Sequence, residues 1–401
     1  MIPLAEAQAF VLDQCSALPV ASVPLRAARR LVTTEAVAAA EQIPPFDNTA
    51  VDGFAVRAED LASASAESPA DLEVVGTIAA GAAPTVPVGP GQAIRIMTGA
   101  PLPDGADAVA MVEWTSTEGD RVHIDRSVGV GDAVRHAGED LQPGDLVFEA
   151  GVELSPGHLG VLASIGRYEV NVVRRPKIGV FSTGDELIEG PQALKLGQIR
   201  DSNRHTLIAL VERDGFEAVD LGMIRDDEVA IEDAICRGVA GCDALLTSGG
   251  VSMGDFDYVK AVLGRIGDMR WMQVAIKPAK PLAFGLVDGI PVFGLPGNPV
   301  SSMVSYELFG RPGIRKMAGH VRLHRPRLLG ISDQKWGRHP DGKIHFVRCK
   351  IDLDNGVYRV SSAGGQGSHQ LTAMAGADAL AVLGDGEGAE EGDPLEFFTL
   401  S

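Results

Sequence analysis

The 401-residue sequence predicts a multidomain α/β protein built around a doubly wound parallel sheet. Three observations support this fold class. A chain of this length exceeds one ordinary hydrophobic core, so roughly two to four domains are expected. Strand and helix patterns alternate between residues 177 and 320, which is typical of a parallel sheet covered on both faces. Short strand patterns between glycine and proline turns fill residues 70–150 and 321–401 and indicate smaller β-rich domains.

Composition and charge exclude several classes of function. The chain is 45% hydrophobic and 22% charged, as in ordinary globular proteins. A net charge of −19 without a basic run argues against a nucleic-acid-binding protein. The N-terminal segment MIPLAEAQAF lacks the features of a targeting signal, and no apolar run has the length of a membrane span. The cysteines lack CxxC spacing, which argues against a zinc site or disulfides and favours a cytoplasmic protein.

Two helix patterns lie before residue 176. Leu4, Ala7 and Val11 have helical spacing and predict a packing or dimer helix. A second apolar pattern covers residues 151–165. Between these two helix patterns the chain is β-rich. After the second helix pattern, Pro176 marks a break before the next strand pattern.

The β-rich segment contains three polar loops. In residues 41–57, EQIPPFDNTAVDGFAVR, we expect Asp47 and Asn48 to form turns and Asp52 to face a ligand. Thr98 ends a strand pattern and can donate a hydrogen bond. Asp140, in VRHAGEDLQPGD, is a second candidate ligand contact.

The sheet segment contains strand patterns at 178–182, 217–224, 244–247 and 291–295. In parallel sheets, ligands bind beyond the carboxyl ends of the strands. Several polar residues and turns follow these ends, and they are Asp185, Glu186, Asp226, Asp227, Gly249, Gly250, Lys277 and the segment 296–301.

Basic and helical features in this segment predict an anion site. Lys277 and Lys280 stand three residues apart, next to prolines that stiffen their loop. A turn at 296–299 leads into a helix at Val300, whose free N–H groups favour an anion.

Carboxylates and a glycine-rich turn complete the set of candidates. Backbone N–H groups of the turn at 248–250 can approach a ligand closely, because its glycines lack Cβ atoms. Asp255 and Asp257 then either cap a helix or hold a divalent metal. In the segment IRDSNRHTL, we expect Ser202 to cap a helix, with Asp201 and Asn203 facing the ligand.

The C-terminal strand patterns at 328–331, 344–349, 357–361, 379–382 and 395–400 predict a small barrel or sandwich. Within it, Arg348 lies on a strand and Ser368 in the turn GGQGSHQL.

Three motifs in fixed order resemble those of the molybdopterin molybdenumtransferase family, or MoeA family, which includes the E-domain of gephyrin. They are SGGVSMGDFDY at 248–258, KPAKP at 277–281 and LPGNPVS at 295–301. The loops around Asp52, Thr98, Asp140, Asp201 and Arg348 are similar to family motifs too, and only residues 58–90 and 321–345 carry little family signal.

The resemblance implies an enzyme that inserts molybdenum from molybdate into adenylylated molybdopterin. Release of AMP with the help of Mg²⁺ would complete this last step of molybdenum cofactor biosynthesis. The implied domains are a linker or dimer domain in two parts (1–42 and 148–175), a β-rich inserted domain (43–147), an α/β molybdopterin-binding domain (176–321) and a C-terminal β-barrel (322–401).

The resemblance also assigns roles to residues. The implied catalytic residues are Asp52, Asp140, Glu186, Asp257 and Lys277. The implied magnesium ligands are Glu186, Asp226 and Asp257. The implied molybdopterin or molybdate contacts are Thr98, Asp201, Asn203, Ser248, Gly249, Gly250, Lys280, Pro281, Pro296, Gly297, Asn298, Ser301, Arg348 and Ser368.

The implied contacts suit a tetrahedral dianion, which needs several donors and cations when it leaves water. The resemblance further implies a homodimer in which Asp52 and Asp140 reach the partner's site. Transient contacts with the adenylyltransferase and with apo-molybdoenzymes are implied, without nucleic-acid or membrane partners.

Three alternatives stay open at this level. The sheet domain resembles molybdopterin adenylyltransferase as well, a gephyrin-like scaffold would keep the fold without turnover, and a paralogue would handle tungstate. One departure from the family is Ala279, where the lysine loop usually has glycine. If this position has positive φ, alanine costs about 1 kcal/mol or more.

Overall fold

The computed structural model describes residues 1–249 and 258–400. The chain forms two compact units. The first unit comprises Met1–Ser22, Arg30–Thr34 and Asn171–Ser401, and the second comprises Val23–Arg29 and Glu35–Val170. The five-part division implied by the family resemblance stays a prediction.

A six-stranded sheet forms the centre of the first unit. Its strands are β1 (Lys177–Thr183), β2 (Glu217–Ile224), β3 (Ala244–Ser248), β4 (Asp268–Gln273), β5 (Pro281–Val287) and β6 (Ile290–Leu295). The order across the sheet is β2-β1-β3-β6-β5-β4. The four strands β2, β1, β3 and β6 pair in parallel, as the alternation of strand and helix patterns predicted.

The β6–β5 and β5–β4 pairings are antiparallel, so β5 runs opposite to both of its neighbours, which the sequence interpretation did not include. A two-residue turn joins β5 to β6, and its residues Asp288 and Gly289 have φ values of 48° and 79°. This Asp-Gly pair with two positive φ angles is a strong hairpin signal that the interpretation overlooked. The hairpin converts one end of the parallel sheet into an antiparallel edge.

Helices cover the sheet. They are α1 (Leu4–Gln14), α2 (Asn203–Arg213), α3 (Glu228–Gly241), α4 (Tyr258–Ile266) and α5 (Pro299–Ser305), and α5 continues through a π-helix (Tyr306–Gly310) into α6 (Arg311–Met317). The helical spacing of Leu4, Ala7 and Val11 is confirmed, because all three are buried in the main core of this unit. Phe284 and Phe293 of the β5–β6 hairpin belong to the same core.

A closed five-stranded barrel forms the C-terminal region of the first unit. Its strands are β7 (Leu328–Ser332), β8 (Ile344–Asp354), β9 (Val357–Ser362), β10 (Ala379–Leu383) and β11 (Pro394–Thr399). They pair in the order β8-β9-β7-β11-β10, and β10 returns to β8. The predicted small barrel is confirmed. A short helix, α7 (Leu371–Ala375), precedes β10.

The second unit contains a six-stranded sheet of half-barrel form and a helix, Pro156–Ser164. The strands, in order across the sheet, are Ala108–Met111, Gly53–Val56, Gln92–Ile96, Ala70–Ile78, Arg121–Ile124 and Thr115–Glu118. The Ser155 hydroxyl and the His158 ring cap the start of the helix reciprocally. The short strand Asn48–Thr49 pairs with Val134–Arg135 and joins two of the polar loops.

A buried ion cluster fixes the π-helix of the first unit. The Glu307 side chain is 1% exposed and accepts bonds from Arg213 Nη2 at 2.6 Å and Arg325 Nε at 2.7 Å. Both arginines also donate to the carbonyl oxygen of Leu400, at the end of the barrel. The cluster therefore joins the end of α2, the π-helix and the barrel.

We expect the substitution Glu307→Ala to lower the free energy of unfolding by about 3 kcal/mol, because it removes a buried carboxylate and leaves Arg213 and Arg325 with Asp214 as their carboxylate partner. The matched control is Glu228→Ala, which removes a half-exposed partner of Arg265 and should cost less than about 0.5 kcal/mol. Urea unfolding of both variants measures the difference. Equal losses would contradict the importance assigned to the cluster.

Candidate functional site

Three parallel strands bring their carboxyl ends side by side. Ser182 at the end of β1 pairs with Ser248 of β3, and Ser248 pairs with Leu295 of β6. The N–H of Gly249 donates to the Leu295 carbonyl at 3.1 Å. This bond joins the start of the loop after β3 to the end of β6. Gly249 has a φ of 100°, which favours glycine. Gly250 and Asp257, both predicted site residues, lie outside the described residues.

Asn203 joins these loops through its side-chain amide. Its Nδ2 donates to Ser248 Oγ at 2.6 Å and to the Gly297 carbonyl at 2.6 Å. The two N–H donors are thus used within the protein, and Oδ1 is the polar atom left for a ligand. The structure therefore gives Asn203 a role in positioning Ser248 and the turn at Gly297.

Asp201, predicted to face the ligand, is buried. Its Oδ2 accepts from Ser182 Oγ at 2.5 Å and from Arg204 Nε at 2.9 Å, and its Oδ1 accepts the N–H of Arg204. Asp201 thereby caps α2. The cap that we expected from Ser202 is absent, because the Ser202 side chain makes no capping bond.

Acidic side chains follow β1 and β2. Asp226 and Asp185 exchange bonds between backbone N–H and carboxylate at 3.2 and 3.3 Å. Burial raises the pKa of the Asp226 carboxyl, and the nearby charges of Asp185 and Glu186 raise it further. The Glu186 carboxylate lies against Gly184, where a Cβ atom would clash with it. In residues 1–249 and 258–400, no three His, Cys, Asp or Glu side chains converge as a complete metal site.

The lysine loop lies beside the barrel. Lys277 belongs to a short strand, Ile276–Lys277, that pairs in parallel with β8 and places Lys277 opposite His345. Both Lys277 and Lys280 are exposed. Ala279 is buried with a φ of 70°, so alanine occupies the left-handed region here at a cost of about 1 kcal/mol. Pro281 begins β5 directly after the loop.

The turn before α5 presents Gly297 and Asn298 at the surface, whereas Pro296 and Ser301 are buried. The prediction that the first N–H groups of this helix are free is wrong for two of them. The Val300 N–H donates to the Ser368 carbonyl at 3.2 Å, and the Ser302 N–H donates to the Asn298 carbonyl at 2.9 Å. The first of these bonds joins the turn to the barrel loop that carries Ser368.

Arg348 is a buried cation with few partners. It is 1% exposed, and its Nη2 donates to the carbonyls of Gly365 at 2.5 Å and Gly367 at 3.2 Å. Its Nε makes no hydrogen bond, and among the described residues no carboxylate lies within ion-pair distance. Burial lowers the pKa of Arg348. A buried charge of this kind is stabilised when an anion pairs with it.

The second unit brings two of its candidates, Asp52 and Thr98, together. Asp52 Oδ1 accepts both the N–H and the hydroxyl of Thr98 at 2.7 Å, and these bonds lower the pKa of Asp52. The turn roles predicted for Asp47 and Asn48 are wrong. Asp47 Oδ1 accepts the N–H of Ala137, 90 residues further along the chain, at 2.7 Å and so links two loops, whereas Asn48 lies in a short strand. Asp140 is exposed and forms no ion pair with any residue that the structure describes.

Two positions that bond to candidate site residues were missed from the sequence. Ser182 donates to Asp201 at the end of β1, and Gln366 binds the backbone of Arg348. A polar residue ending an apolar strand is a weak signal for the first. The position of Gln366 between two glycines of a candidate ligand loop was a signal for the second.

These features define an α/β protein with a candidate anion site at the carboxyl edge of its parallel sheet and a buried arginine on an attached barrel. Family models cover most of the chain. The MoeA N-terminal region (domain I and II) matches residues 2–166, a probable molybdopterin binding domain matches 179–316, and the MoeA C-terminal region (domain IV) matches 338–400. The chain belongs to the MoeA family.

Individual relatives agree with this assignment. A molybdopterin molybdenumtransferase of Nostoc is 38% identical over 91% of this chain and 85% of its own length. The Haemophilus influenzae protein of that name is 36% identical over 96% of this chain and 94% of its own. The crystal structure of the molybdopterin biosynthesis MoeA protein from Pyrococcus horikoshii superposes with a TM-score of 0.81 at 30% identity, covering both chains completely. Among the described residues, no helix is long and apolar enough to cross a membrane.

The raised pKa of Asp226 predicts a pH dependence. Because the folded protein holds this proton more tightly than the unfolded chain, stability falls as the pH rises from the ordinary carboxyl pKa through the raised one. Asp226→Asn should therefore gain stability relative to the wild type with rising pH. Thermal unfolding between about pH 4 and pH 8, without divalent cations, measures this gain.

The control is Asp233→Asn, which changes an exposed carboxylate on α3. Its stability difference from the wild type should stay nearly constant over the same range. A constant difference for Asp226→Asn as well would remove the argument for crowded carboxylates.

Proposed function

We propose that this protein inserts molybdenum from molybdate into adenylylated molybdopterin and releases AMP, the last step of molybdenum cofactor biosynthesis. The curated relatives that bear the name molybdopterin molybdenumtransferase support the reaction. The observation that carries the site is Arg348, a buried guanidinium without a carboxylate partner in the described residues. We propose a cytoplasmic location as well.

Molybdate is a tetrahedral dianion, and the proposal assigns its charge to three cations. Arg348 supplies a buried charge, whereas Lys277 and Lys280 are exposed and can reach an incoming ion. Lys277 lies opposite His345 on β8, and β8 is also the strand that carries Arg348. Charge-assisted bonds from these groups, with the hydroxyls of Ser301 and Ser368, would replace the hydration of the anion.

The pterin and its phosphates would occupy the carboxyl edge of the sheet. Asn203 holds Ser248 and the exposed turn of Gly297 and Asn298 in place there. Close to this edge, Glu186 and Asp226 provide the carboxylate oxygens that Mg²⁺ prefers. We propose that they hold the ion with Asp257, which lies outside the described residues. Bound Mg²⁺ would neutralise charge at the phosphoanhydride that links AMP.

The first experiment measures AMP release from purified adenylylated molybdopterin with Mg²⁺, with and without molybdate. We expect release to require molybdate, because metal insertion and cleavage of the anhydride belong to one reaction. Consumption of ATP with metal-free molybdopterin would instead indicate an adenylyltransferase. Tight binding of the adenylylated pterin without release would indicate a scaffold, and a preference for tungstate would indicate the tungstate paralogue.

We also propose a homodimer in which Asp52 and Asp140 of one subunit act in the site of the partner, as the family resemblance implies. The exposure of both carboxylates and the absence of an ion pair to Asp140 in the described residues support this. Further proposed partners are the adenylyltransferase that supplies the substrate and the apo-molybdoenzymes that receive the product.

Mixing two inactive variants tests the shared site. Asp52→Ala and Lys277→Ala should each abolish AMP release, and a mixed dimer should regain one intact site. Statistical mixing then restores about a quarter of wild-type activity. The control mixture combines Lys277→Ala with Arg348→Ala, which damages the same half of each site and should restore nothing. A monomer with full activity in size-exclusion chromatography would contradict the proposal.

A further inference from the structure

The side-chain amide of Gln366 bonds the backbone of Arg348 as a neighbouring strand would. Its Oε1 accepts the Arg348 N–H at 3.0 Å, and its Nε2 donates to the Arg348 carbonyl at 3.1 Å. The same Nε2 donates to the Gly364 carbonyl at 3.0 Å. All donors and acceptors of the amide except one lone pair of Oε1 are therefore used.

This amide fills a gap along one edge of β8. Residues Cys349–Asp354 of β8 pair with β9 on that edge, while Ile344 and His345 pair with the strand of Lys277. Between the two partners, no described strand pairs with Arg348 on this edge, and Gln366 and the N–H of Ala363 satisfy its backbone. One strand edge thus carries the lysine loop, the amide and β9 in succession.

The loop of Gln366 also holds the head group of Arg348. Gly365 and Gly367, which flank Gln366, offer the two carbonyls that accept from Nη2. Gln370 Oε1 accepts the Gly367 N–H at 2.6 Å and fixes the loop from behind. Backbone and guanidinium of Arg348 are therefore held by one segment of three residues.

We propose that Gln366 is a positioning residue for anion binding, which acts by fixing Arg348. The inference rests on the proposed function, because it takes molybdate as the anion. The neutral amide is essential to the argument. Glutamate has the same shape but no N–H donor, and its charge would neutralise Arg348 beside the anion. A glutamine holds the arginine and leaves its positive charge to the ligand.

The test compares Gln366→Leu and Gln366→Glu with Gln334→Leu. Gln334 is the matched control, because its Oε1 also accepts a backbone N–H in the barrel, that of Ser362 at 3.0 Å, but does not bond Arg348. Sodium molybdate binding to the full chain is measured by calorimetry, and the KM for molybdate by AMP release. We expect both Gln366 variants to weaken molybdate binding about tenfold or more.

Two further readouts separate positioning from simple loss of stability. The KM for molybdate should rise while the KM for the adenylylated pterin stays unchanged, and Gln334→Leu should change neither. In combination with Arg348→Ala, Gln366→Leu should weaken binding no further, since it acts only through Arg348. Gln366→Glu keeps the size and shape of the side chain, so it serves if the leucine variant folds poorly.

The outcomes are distinguishable. If the Gln366 variants bind molybdate as tightly as Gln334→Leu does, the proposed role of Gln366 is overturned, while the anion site and the proposed function are unaffected. Unchanged affinity in Arg348→Ala would overturn the anion site and the inference with it. Absence of molybdate-dependent AMP release and of molybdate binding in the wild type would overturn the proposed function itself.

Discussion

Parallel pairing of β1, β3 and β6 is the constraint on which the candidate site depends. Parallel strands end at the same edge, so the residues that follow them meet regardless of their distance in sequence. Ser182, Ser248 and Leu295 share one level of the ladder. The Asn203 side-chain amide bonds both Ser248 at the end of β3 and Gly297 in the turn after β6, and thereby fixes their relative positions. The pairing of the strands therefore sets the positions of the polar side chains in these loops.

Buried charge appears in two forms in the first unit, which differ in the partners of the charged group. Glu307 is surrounded by arginines and forms ion pairs with two of them, so its charge is compensated within the protein. Arg348 is equally buried, yet in the described residues only carbonyl groups contact its guanidinium. An arginine that has no carboxylate partner among residues 1–249 and 258–400, in a chain with a net charge of −19, is suited to bind an external anion.

Much of the fold follows from sequence patterns, because strand and helix alternation and the strands of the barrel are local signals. The hairpin of Asp288 and Gly289 was equally visible. The roles of Asp201 and Asn203 could not be predicted from the sequence, because a motif shows which residues are polar but not which partners they bond. Asp201 turns inward to Arg204, and Asn203 spends its donors on neighbouring loops. The positive φ of Ala279 could not be predicted from the sequence either, because it depends on the path of the whole loop.

The pairing of Ile276–Lys277 with β8 has a consequence for how this chain can evolve. The lysine belongs to the sheet segment and the strand that orients it belongs to the barrel, so the two segments are not independent modules. A recombination event at residue 321 would exchange the arginine, its glutamine and the edge that aligns the lysine together. We therefore expect sheet and barrel to be inherited together, and the main hydrophobic core, which contains Phe293 of the sheet and Phe346 of the barrel, joins them as well.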